Sequence, residues 1–163
     1  MRSRIHRRGL ALLASMPLLL GAGYTAETNY VLHCQGCHGA DGIGGVPDQI
    51  PPLRDSVGYF LHIPDGRRFL IQVPGVAQAP INDTQVAELL NYILHRYGAD
   101  QLPDAFAPYT REEVARERRR AVDVLALRAE LVSALRDRLG VRIWTLEDPI
   151  VAPQHGRLND ARD

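Results

Sequence analysis

Cys34 and Cys37 stand three apart, His38 follows at once, and the two cysteines are the only ones in the 163 residues. Thiols at that spacing can each add to a vinyl group of one porphyrin, while the adjoining imidazole reaches the iron from one face. The run Cys34-Gln35-Gly36-Cys37-His38 therefore predicts one covalent haem c, with Cys34 and Cys37 as attachment points and His38 as an iron ligand. A thioredoxin-like redox pair shares the spacing, but it sits in a βαβ setting that these residues lack. A zinc site would need two more ligands from a chain with six histidines.

Both methionines, Met1 and Met16, fall in an N-terminal stretch that reads as an export signal. Arg2, Arg4, Arg7 and Arg8 give a basic start, Gly9 to Gly23 is apolar, and small residues continue to Ala26. The apolar run is about 15 residues, short of the roughly 20 that span a bilayer as a helix. Residues 1–26 are expected to be a cleaved signal peptide that delivers the protein to the periplasm. Membrane attachment follows only if the segment is retained. What remains carries 15 Arg against 19 Asp and Glu, a net charge of −4.

The elements that must position the cysteines lie in residues 27–109. Thr28 is placed to cap a short helix through Tyr30 and Leu32 into Cys34. A Gly-rich turn from Gly39 to Gly45 and the run Pro51-Pro52-Leu53 follow, the texture of a loop folded against a flat cofactor. Tyr59, Phe60, Leu61, Phe69, Leu70 and Ile71 supply apolar bulk. Asn82 or Asp83 caps a helix whose apolar positions are Val86, Leu89, Leu90, Ile93, Leu94 and Tyr97, and Gly98 stops it. After Pro103 and Pro108, a stretch from Thr110 to Leu139 runs without Gly or Pro. Its Thr110-Arg111-Glu112-Glu113 start has the form of a capping box. This predicts one charged amphipathic helix over 110–140, then a flexible tail over 141–163.

The short helix into Cys34-x-x-Cys37-His38-Gly39, the Pro-Leu turn and the helix ending Leu89-Leu90-Asn91-Tyr92-Ile93 resemble the class I cytochrome c family over residues 27–98. The resemblance implies an all-α fold whose first and last helices cross, with Tyr30 near Tyr92 and a long C-terminal helical extension added. It also implies thioethers at Cys34 and Cys37, and proximal ligation by His38 through Nε2. The other ring nitrogen would donate to a carbonyl in the Pro51-Pro52 region.

The family places a Met, often followed by Pro, before the last helix. Here that stretch is Val73-Pro74-Gly75-Val76-Ala77-Gln78-Ala79-Pro80-Ile81, and it contains no Met. His62 is a candidate distal ligand, since neutral imidazole suits iron. Gln78 could offer an amide oxygen, or no side chain need bind at all. His33 is too near Cys34 to reach the far face, His95 fits a structural role at a helix C-terminus, and His155 lies in the tail. A firm sixth ligand favours electron transfer, whereas an open iron admits small molecules.

The expected function is that of a periplasmic monohaem cytochrome passing single electrons to or from a larger oxidoreductase, a carrier or accessory subunit rather than a catalyst. The alternative is a five-coordinate haem protein that binds NO, CO or peroxide. Residues 27–109 hold nine acidic residues and four Arg, net −5, so a redox partner with a basic docking surface is expected. The helix over 111–139 could pack back on the haem domain, or serve docking or self-association. Its eight Arg are interspersed with six acidic residues, and no nucleic-acid partner is expected.

Overall fold

The computed structural model describes residues 24–44 and 50–143, and every regular element in them is helical. The expected signal peptide up to residue 23 and the tail from residue 144, with His155, lie outside the described residues. Among the described residues, no helix is long and apolar enough to cross a membrane.

Helix α1 (Ala26–His33) begins three residues earlier than a cap at Thr28 implied. Thr25 is the cap, its hydroxyl accepting from the Thr28 amide at 3.2 Å. The predicted boundary after residue 26 thus falls inside the first turn. A four-residue helix α2 (Gln35–His38) follows directly, so the Cys-x-x-Cys-His run is itself largely helical. A 3₁₀ turn (Val57–His62), α3 (Gly66–Gln72) and the short α4 (Pro74–Ala77) lead to α5 (Asp83–Tyr97). Asn82 caps α5 with a full capping box to Gln85, and all six apolar positions singled out on this helix are buried.

Helices α1 and α5 cross at a tyrosine cluster. The Tyr30 ring centroid lies 6.0 Å from that of Tyr92 and 5.2 Å from that of Tyr97, a tilted geometry favoured by ring quadrupoles. Tyr30 is 2 % exposed, and burial pushes its hydroxyl pKa upward, with Tyr97 adding to the shift. Its phenol stays neutral and donates a hydrogen bond.

The stretch predicted as one helix over 110–140 is two. Helix α6 (Arg111–Glu117) is capped by the Thr110 hydroxyl, and α7 (Val124–Leu139) is capped by the Asp123 carboxylate. The break at 118–123 resets the helical phase, so no single apolar face runs the length of 110–140. Leu127, Leu131 and Leu135 point inward at four-residue spacing, while Leu125 and Leu139 are exposed. The capping box is also incomplete, because the Glu113 carboxylate is drawn away to Arg67. Both helices pack on the earlier elements, and Val114 and Leu135 are fully buried in the same apolar cluster as Tyr30, Ile71 and Leu94.

Candidate haem site

Cys34 and Cys37 are free thiols, the first buried and the second exposed. Burial pushes the Cys34 thiol up to about 11, and neighbouring Cys37 adds to the shift, so this sulfur is protonated at neutral pH. His38 is held by the carbonyl of Pro51, to which its Nδ1 donates at 3.1 Å. Burial lowers the imidazole pKa, and the Pro51 bond opposes the shift. With the proton fixed on Nδ1 of a neutral ring, the Nε2 lone pair is free to bind a metal.

Several independent ties hold the segment after His38. The Tyr30 hydroxyl donates to the Gly39 carbonyl at 2.6 Å, and the Tyr97 hydroxyl to the Ala40 carbonyl at 3.0 Å. The helix crossing therefore clasps the chain just past the histidine. Gly44 donates to the His38 carbonyl at 3.0 Å, and Leu53 and Arg54 both donate to the Gly42 carbonyl. Gly42 has φ +74°, and a Cβ there would sit 2.6 Å from the Tyr97 ring. Only glycine meets both conditions without strain. These bonds bring Pro51 back to His38 across the undescribed residues 45–49.

His62 stands elsewhere in the network. Its Nε2 donates to the Gln101 carbonyl at 2.7 Å, which places the proton on Nε2 and leaves Nδ1 as the only lone pair. The Gln101 side chain accepts from the Gly58 amide at 3.1 Å, so this residue locks the 3₁₀ turn against the end of α5. Gln78 is exposed. His95 packs edge-on against Phe106, with ring centroids 5.6 Å apart.

The sequence reading did not find the polar ties of the C-terminal helices. Arg67 on α3 makes a two-pronged ion pair with Glu113, donates to the carbonyls of Ala107 and Pro108, and lies 4.1 Å over the Tyr109 ring. Arg118, at the end of α6, reaches the segment before α5. A signal for Arg118 was present, since it interrupts an otherwise apolar row with Val114, Ala121 and Leu125. An Arg on such a row is either out of register or buried on partners.

Two free thiols at porphyrin-vinyl spacing, beside a histidine with a fixed tautomer and a free Nε2, fit haem c. No cluster of three or more metal-ligating side chains offers another metal site among the described residues. An all-helical frame around this donor set defines a haem-binding redox protein. The chain is 30 % identical over 146 residues to a cytochrome c-552 of Thermus thermophilus, covering 77 % of this chain and 95 % of that protein. A second cytochrome c-552, also of Thermus thermophilus, is 30 % identical over 127 residues, covering 67 % of this chain and 92 % of its own length. No family model matches. The chain belongs to the c-type cytochrome family, with covalent haem c as cofactor and electron transfer to redox partners as function.

Proposed function

We propose that this protein is an exported monohaem electron carrier that serves a larger oxidoreductase in the periplasm. The observation that carries the reading is the pairing of the Cys34 and Cys37 thiols with a neutral His38 whose Nδ1 is committed to Pro51. Cys34 and Cys37 would form the thioethers, and His38 Nε2 would bind the iron. When bound, the haem supplies a one-electron ferric–ferrous couple. The protein's part is to fix the imidazole, to enclose the site with the tyrosine crossing, and to present an acidic surface to its partner. The excess of acid over residues 27–109 favours a partner with a basic face, steered electrostatically. Cleavage of the basic and apolar N-terminal stretch would release the protein from the membrane.

Potentiometric titration of the matured protein tests the carrier role, with a reversible one-electron wave as the expected result. Reaction rates with cationic and anionic small redox reagents test the acidic face. Faster exchange with the cation, slowed by added salt, is expected, and the opposite order would refute it.

A second reading is favoured by the segment 73–81. It lacks His and Met, and its Gln78 is exposed. His62 would have to bind through Nδ1 or give up its bond to Gln101 to serve as the distal ligand. On this reading segment 73–81 would cover the haem on the side away from His38 without supplying a strong ligand, and the iron would be open to CO or NO. A ferrous spectrum that shifts on adding CO would support it. One unmoved by CO would refute it and make His62 the first distal residue to replace.

A further inference from the structure

Arg118 turns from the end of α6 onto the segment that precedes α5. Its side chain is 14 % exposed. Nε donates to the Ala77 carbonyl at 2.8 Å, Nη1 donates to the Ile81 carbonyl at 2.8 Å, and Nη2 donates to the Ala79 carbonyl. The Asp83 carboxylate, in the first turn of α5, lies 3.2 Å from Nη1 and balances the charge. One side chain from the C-terminal helices thus gathers three carbonyls within five residues. A planar guanidinium with five fixed donors suits this task.

The segment's own backbone bonds are local, the amides of Gln78, Ala79 and Ile81 donating to the carbonyls of Pro74, Val76 and Ala79. The segment leaves α4 at Ala77, and Pro80 has no amide to donate. No side chain of the segment 73–81 is a strong iron ligand. We propose that Arg118 is a positioning residue that anchors residues 77–81 from the protein side, where an iron–side-chain bond would otherwise hold them. Through that anchor it sets how readily a small ligand reaches the iron face opposite His38. The link to the iron rests on the reading that this segment closes that face, whereas the anchoring does not.

The test compares the wild-type holoprotein with Arg118→Ala and Arg118→Lys by peptide-resolved hydrogen exchange and by the rate of CO combination with the ferrous form. Peptides covering 76–83 should exchange about tenfold faster or more in R118A, with α1 and the C-terminal half of α5 unchanged. CO combination should accelerate by a similar factor. R118K should recover part of both, since an ammonium group can reach the carbonyls but cannot fork across all three. If R118A does not accumulate as holoprotein, R118K carries the same comparison with a smaller change. Unchanged exchange at 76–83, or equal acceleration in every peptide, would overturn the anchoring role. Local loosening with an unaltered response to CO would overturn the link to the iron and leave the anchor standing.

Discussion

Replacing Leu135 by Ala tests whether the C-terminal helices belong to the haem domain or merely follow it. Leu135 is fully buried on the inward row of α7, in one apolar cluster with Tyr30, Ile71 and Leu94. Removing its three terminal carbons loses their transfer free energy and leaves a cavity, together costing about 3 kcal/mol. A folded unit of this size loses about 4 °C in midpoint per kcal/mol, so the expected fall is about 12 °C. Thermal unfolding of the matured holoprotein, followed by far-ultraviolet circular dichroism, reads this directly. Leu125→Ala on the same helix is the control: Leu125 is 69 % exposed, and its truncation should change stability by less than about 0.5 kcal/mol. If L135A melts with the wild type, or no lower than L125A, then α7 is not core. The helix would then be free to serve as a docking element.

Two further outcomes follow from named contacts. Gly42→Ala places a methyl against the Tyr97 ring in a left-handed backbone, and should lower stability by about 1–3 kcal/mol. Loss of the Tyr97–Ala40 bond would show as faster amide exchange over 40–44. The Glu117 carboxyl is held below its ordinary pKa by its bond to Arg116 first and Arg120 second, against the opposing effect of burial. Its contribution is therefore complete above the ordinary carboxylate value of about 4.3, and fades as pH falls through the lower folded value. Unfolding midpoints at neutral and acid pH should diverge less in Glu117→Gln than in the wild type, and equal divergence would show that Glu117 contributes nothing to the acid sensitivity.

The Cys-x-x-Cys-His run and α5 were legible because each rests on local rules. The first is a spacing of chemical groups, and the second combines a capping box with a 3.6-residue apolar period. The crossing of Tyr30 with Tyr92 was legible only through the family resemblance, since it joins positions 62 apart. The break inside the stretch over 110–140 was not legible. Neither Gly nor Pro marks it, and residues 118–120 are all Arg. Arg118 ends α6 with its backbone still helical and its side chain on the carbonyls of Ala77, Ala79 and Ile81, so the break coincides with long-range contacts and not with any local breaker. Glu113 was misread for the same reason. Its spacing from Thr110 suggests a reciprocal cap, but Arg67 on a distant helix takes the carboxylate. Asp123 as the cap of α7 is visible in hindsight, because it stands directly before an apolar run.

Covalent attachment of one haem at Cys34 and Cys37 is tested by the intact mass of the matured, exported protein, with peptide mapping across residues 34–38. The mass should be raised by that of one haem that resists acid-acetone extraction, with both Cys34 and Cys37 modified as thioethers. A haem-free mass, a haem that extracts, or a 34–37 disulfide in the correctly exported protein would contradict it.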